Sequence, residues 1–137
     1  MPTAENKALM QRIFARLAEG DGSLFVAHLH ETATMTVTGQ SSWSQTFRGK
    51  EAILRDLYGH VRRVTTGTSR TIPSRFLADE DWVVVEARGQ MTAADGTPYV
   101  NDYCLMYRLE DGMIVEAKEY QDSALCERVL GPYPASQ

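Results

Sequence analysis

The chain has 137 residues, 43% of them hydrophobic and 23% charged, with a formal net charge of −4. That length suits one domain, here 1–137, with a substantial core and no room for a second. The acidic balance and the isolation of Arg62-Arg63 argue against nucleic acid, and no apolar run nears the ~20 residues of a membrane helix. The start, Met1-Pro2-Thr3-Ala4-Glu5, lacks a charged-then-apolar leader, so the expected location is cytoplasmic. Cys104 and Cys126 stand too far apart for a redox or metal motif and read as buried or half-buried thiols.

From Ala4 to Glu19, Leu9, Ile13 and Leu17 with Met10 and Phe14 make a wide apolar helical stripe, stopped by Gly20. Ser23 can cap a shorter helix ending near His30. A strand follows at Ala33 to Thr38, then a connection, Gly39 to Phe47, that carries Trp43 and a short strand over Ser44 to Phe47. After Gly49 the residues Ile53, Leu54, Leu57, Tyr58 and Val61 trace a third helix. The rest reads as a meander: Thr66 to Ala78, Asp81 to Thr92, Tyr99 to Leu109 and Met113 to Gln121, with turns at Asp79-Glu80, Asp95-Gly96 and Asp111-Gly112. Asp122 or Ser123 caps a last short helix, and Gly131 to Gln137 is expected to be a loose tail. Helices first and strands afterwards indicate an α+β fold, three helices of the first half packed in a curved, mostly antiparallel sheet.

Turn chemistry proposes a register. A three-residue loop at Glu110-Asp111-Gly112 pairs Leu109 with Met113, Tyr107 with Val115, Leu105 with Ala117, Tyr103 with Glu119 and Asn101 with Gln121. A three-residue loop at Ala94-Asp95-Gly96 sets Val83, Val85, Ala87, Gly89 and Met91 beside Tyr107, Leu105, Tyr103, Asn101 and Tyr99. One face is then apolar and turns polar only at its end. The other carries Trp82, Val84, Glu86, Arg88, Cys104, Met106, Ile114, Glu116, Lys118 and Tyr120, a mixture suited to packing against a second copy as a homodimer. A two-residue loop at Asp111-Gly112 would instead bring Tyr120 beside Tyr103.

Glu19-Gly20-Asp21, Phe47-Arg48-Gly49-Lys50-Glu51-Ala52-Ile53, Tyr99-Val100-Asn101-Asp102-Tyr103 and the run from Asp111-Gly112-Met113 to Glu119-Tyr120-Gln121-Asp122 occur in an order and spacing that resemble the nuclear transport factor 2-like superfamily. Within it the chain is similar to the SnoaL-like group, related to ketosteroid isomerase and polyketide cyclases. The resemblance implies a cone-shaped (cystatin-like) fold around one pocket. The ketosteroid isomerase mechanism needs a carboxylate on the first strand and a tyrosine on the first helix, places held here by Val37 and Ile13, so that mechanism is not expected. The resemblance to the cyclases instead implies Glu119 as general acid or base. The limonene epoxide hydrolase relay would need Arg88 and Asp102 inside, whereas the register puts them outside.

The expected ligand is a small, mostly apolar carbonyl compound, handled by cofactor-independent proton transfer or merely bound. Glu119 would move the proton, and Tyr103 and Asn101 would hold the oxygen. Trp43, Met35, Val37, Tyr99, Leu105 and Tyr58 would shape the cavity, Trp43 from a loop over its open end. His28 and His30 fall on different sides of a helix and cannot readily share an ion. No metal or other cofactor is implied.

Overall fold

The computed structural model describes residues 2–134. Two N-terminal helices, α1 (Thr3–Leu17) and α2 (Ser23–Ala27), precede strands β1 (Leu29–Val37) and β2 (Thr46–Arg48). A continuous helix then runs through residues 50–64 as α3 (Lys50–Ala52), a π-helical stretch Ile53–Tyr58 and α4 (Gly59–Val64). Strands β3 (Thr65–Asp79), β4 (Trp82–Ala93), β5 (Pro98–Glu110) and β6 (Met113–Gln121) follow, and α5 (Ser123–Leu130) closes the chain.

The strands form one curved, open sheet in the order β2-β1-β6-β5-β4-β3, antiparallel throughout except where β1 lies parallel to β6. The helical half fills the concave side. Leu9, Met10, Ile13 and Phe14 of α1 are buried there with Val83, Val85 and Tyr107 of the sheet. Phe14 meets Phe76 and Tyr107 edge-on at 5.9 and 6.0 Å, and Phe25 meets Tyr58 and Tyr107 at 6.0 and 6.2 Å. Such tilted ring pairs each add about 0.5 to 1.5 kcal/mol beyond the area they bury. They also fix the height of the helices above the sheet.

The β4–β5 pairing follows the turn chemistry: Ala93 N–H donates to the Thr97 carbonyl at 2.8 Å around a loop whose Gly96 has φ +91°, and Val85 pairs with Leu105, Ala87 with Tyr103 and Gly89 with Asn101. The β5–β6 hairpin departs from expectation. Asp111 and Gly112 both have positive φ, 49° and 76°, and form a two-residue turn that pairs Glu110 with Met113 and Leu109 with Ile114. This pair of left-handed residues matches the twist of the flanking strands, which explains why Gly follows Asp there. Ile114 is therefore buried with no exposed surface rather than outward-facing. A bulge at Val115 then shifts the ladder by one, so Arg108 pairs with Glu116, Tyr107 with Ala117, Leu105 with Glu119 and Tyr103 with Gln121. The bulge undoes the inversion that the short turn would impose, and Glu119 faces inward.

Two further local features differ from the sequence reading. The third helix opens into a π-helical stretch in which the Gly59 N–H reaches the Leu54 carbonyl five residues back; a Cβ on Gly59 would stand 3.3 Å from that oxygen. The C-terminal segment is tied down as far as Tyr133 rather than loose. Tyr133 packs edge-on against Trp43 and His60, its hydroxyl donates to the Asp56 carbonyl at 2.8 Å, and its N–H donates to Ser42 Oγ at 2.7 Å. Residues 135–137 of the expected tail lie outside the described residues.

Candidate functional site

Glu119 stands on β6, a central strand flanked by Val37 of β1 and Leu105 of β5. Its carbonyl accepts from the N–H and hydroxyl of Thr38, which fixes the backbone and aims the side chain at the concave face. The chain thus holds a carboxyl directly beside Val37, the first-strand position where the ketosteroid isomerase pattern would have one.

Two cavities meet at this residue. The larger, about 880 Å³, lies between the α1–α2 hairpin, residues 54–71 and the inner sheet face. Leu17, Phe25, Leu54, Met91, Leu105 and Tyr107 line its body, while Thr66, Gly67, Thr68 and Arg62 form an exposed rim. Strand β3 leaves its ladder with β4 between Thr66 and Arg70, so that its backbone borders the opening. The smaller cavity, about 60 Å³, lies beyond, between β1, α5 and the Trp43 loop. Tyr58, Val61, Met91, Tyr103 and Glu119 face both spaces.

Glu119 is half-buried because it borders the cavities, yet protein packs closely around the carboxyl. Arg62 is the one basic residue among the lining residues of either space, and it sits at the exposed rim. Desolvation therefore acts without an opposing cation and pushes the carboxyl up to about 7. Burial also drives the phenols of Tyr58, Tyr103 and Tyr107 upward, and the nearby Glu119 carboxyl reinforces the effect. These tyrosines stay neutral and remain hydrogen-bond donors. A carboxyl that can gain or lose a proton near neutral pH, ringed by neutral phenols, is suited to acid–base chemistry on an oxygen-bearing apolar compound.

Of the residues singled out from sequence, Glu119, Tyr103 and Tyr58 come together at the junction of the two spaces. Leu105 lines the larger cavity; Val37, Tyr99 and Trp43 line the smaller. Met35 lies in the core, paired with Phe47 and Ala117, and borders neither. Asn101 is 1% exposed and also borders neither: its amide nitrogen donates to Tyr99 Oη at 2.8 Å and the Asp122 carbonyl at 3.1 Å, and its oxygen accepts from Asp122 N–H at 3.2 Å. It ties β5 to the start of α5 and holds Tyr99.

Trp43 does not cover the opening. Its indole N–H donates to the Gly131 carbonyl at 2.8 Å, the residue is 2% exposed, and the ring forms a wall at the closed end, away from the rim at Thr66–Thr68. Sequence reasoning did not place Cys126, Leu130 and Gln121 at the site; Cys126 and Leu130 are the inward pair of α5, four residues apart. Arg88 and Asp102 form an exposed ion pair at 2.9 Å on the outer face, and the thiols of Cys104 and Cys126 are free. Among the described residues no helix is long and apolar enough to cross a membrane, and no group of three or more His, Cys, Asp or Glu is placed to hold a metal ion.

Comparison with known proteins agrees with this architecture. A search of the curated proteins found no match. Among solved structures, Bal32a from a soil-derived mobile gene cassette superposes with a TM-score of 0.80 at 20% identity, covering 93% of this chain and 98% of that one. An NTF2-like protein of unknown function from Burkholderia pseudomallei gives 0.78 at 19% identity over 91% and 96%. TerC, co-crystallised with polyporic acid, gives 0.76 at 20% identity over 91% and 97%. The model of the SnoaL-like domain matches residues 10–117, a span that runs from the first helix into β6 and ends two residues before Glu119, and the chain belongs to the SnoaL-like family.

Proposed function

We propose that the protein binds a small, mostly apolar carbonyl compound in the 880 Å³ cavity and catalyses a cofactor-independent proton transfer on it, of the isomerase, cyclase or lyase type. The observation that carries this reading is one carboxyl without a cationic partner, pushed up to about 7 at the junction of two apolar spaces. In its ionised form Glu119 removes a proton from the carbon beside the carbonyl. The phenols of Tyr103 and Tyr58 line the same spaces, that of Tyr103 in hydrogen-bonding contact with Tyr99, and can stabilise the enolate oxygen. The protonated acid then returns the proton to another position. Polyporic acid, seen with TerC, belongs in the first panel of compounds to screen.

Replacing Glu119 with Gln keeps size and removes the exchangeable proton. Turnover of a compound found by screening is expected to fall by ~100-fold or more while its affinity is kept within a few fold. An unchanged rate would end the catalytic assignment and leave a binding module.

A second reading concerns the outer sheet face, where Leu77, Val100, Tyr120 and Ile72 keep 58, 44, 43 and 37% of their surface. These apolar side chains stand among ion pairs such as Arg75–Glu86 and Arg88–Asp102, and we propose that this face packs against a second copy of the chain. Light scattering on Leu77→Asp is expected to report a lighter particle than wild type; equal masses would remove the proposal.

A further inference from the structure

The division of the site into two unequal spaces restricts what fits it. A compound reacting at Glu119 has room for its bulk only in the larger space, and whatever it carries on the far side of the reacting carbon must enter the smaller one. The wall of that inner space away from Glu119 is buried protein. Trp43 and Tyr99 are each 2% exposed, Cys126 3% and Leu130 8%, and the C-terminal segment holds Trp43 in place through Gly131 and Tyr133.

Away from Glu119, the polar groups of its wall engage one another or the backbone. Tyr99 Oη donates to Gln121 Oε1 at 3.3 Å and accepts from Asn101 Nδ2 at 2.8 Å, the Cys126 thiol interacts with Tyr99 and Gln121, and the Trp43 N–H is held by Gly131. The wall left to an occupant consists of Val37, Leu57, Val61, Met91, Leu130 and ring faces, with Glu119 at its mouth. An apolar cavity of about 150 Å³ takes up benzene. On that scale 60 Å³ holds about two or three carbon atoms.

We infer that the inner chamber receives a short alkyl substituent, two or three carbons long, on the carbon that Glu119 deprotonates, and that Val37, Cys126 and Leu130 set the limit on its length. This rests on the carbonyl-compound reading above and adds the substrate class: carbonyl compounds with an ethyl- or propyl-sized branch beside the carbonyl and their bulk on the other side. The open 880 Å³ cavity imposes no comparable limit, so tolerance is asymmetric about the reacting carbon.

Calorimetry on the full chain with cyclohexane-1,3-dione and its 2-methyl, 2-ethyl, 2-propyl, 2-butyl and 2-hexyl derivatives tests this. Affinity is expected to rise about fourfold per added carbon, the value of one buried methylene, as far as ethyl or propyl, and to fall at butyl and hexyl. Leu130→Ala, which lengthens the chamber, is expected to move the optimum to butyl or hexyl. Cys126→Ala provides a second, milder enlargement with the same direction should the first variant not fold. Binding of the unsubstituted dione with no dependence on alkyl length overturns the inference and leaves the carbonyl reading standing. Failure of every member of the series to bind overturns both. An optimum that stays put in both folded variants removes the assignment to Cys126 and Leu130.

Discussion

A Cβ built on Gly89 would stand 2.6 Å from Cε2 of Tyr103 and 3.3 Å from its hydroxyl. The ring of Tyr103 thus lies across the neighbouring strand in space that any other residue would occupy, and this sets its direction in the cavity. Gly89→Ala forces either the ring or the strand to shift. The expected cost is about 1 to 3 kcal/mol, as for other overpacked sites. Urea denaturation should show the lower midpoint, and affinity for a cavity ligand should fall in parallel because Tyr103 leaves its place. A variant of wild-type stability and affinity would show that the ring has freedom the geometry denies it.

Residue identity made parts of this legible in advance. Glu119 stood out as a carboxylate on an otherwise apolar face, and Gly89 and Tyr103 fell opposite neighbours on one face, although their contact did not follow from pairing alone. Asn101 stood out for the same reason as Glu119, but the sequence has no means of saying that its amide would be taken up by Asp122 and Tyr99.

Among the elements, the β5–β6 hairpin shows where sequence patterns stop. Asp-Gly serves both two- and three-residue loops, and nothing in Ile114-Val115-Glu116 announces a bulge. The short turn and the bulge compensate, so the inward side of Glu119 came out as expected while the partner of Leu109 moved by one along β6 and those of Tyr107, Leu105 and Tyr103 by two. By contrast, the three-residue loop assumed at Ala94-Asp95-Gly96 is the one the chain adopts, and that register followed. The π-helical stretch and the C-terminal strap left no periodic trace, because each depends on single contacts at distant residues.

The strap is open to measurement. Tyr133→Phe removes the hydroxyl that donates to the Asp56 carbonyl and should destabilise the fold by about 1 kcal/mol, the net value of one such hydrogen bond. Tyr133→Ala also takes away the ring faces against Trp43, Phe47 and His60 and should lower the melting temperature further. Equal melting temperatures for all three proteins would mean that the segment contributes nothing to closing the inner chamber.

For the molecule as a whole, a carboxyl in the hollow of the cone couples the site to stability. Folding raises the Glu119 pKa from 4.5 to about 7, so between those values the folded chain binds a proton that the unfolded chain has released. Stability from this group is fully present below about pH 4.5 and is lost as pH climbs through about 7; above that both states are ionised and the slope vanishes. The difference in pKa corresponds to at most about 3.5 kcal/mol across the window, at about 1.4 kcal/mol per pH unit. Asp21, Asp56 and Asp95 are shifted downward by hydrogen bonds, so their contribution has the opposite sign and belongs to more acid solution. Subtracting the stability of Glu119→Gln from that of wild type at each pH isolates the one group. The difference should decline between pH 4.5 and 7 and be level on either side. A difference curve flat throughout would mean that the carboxyl is as well solvated folded as unfolded, and the acid–base role assigned to it would lose its physical basis.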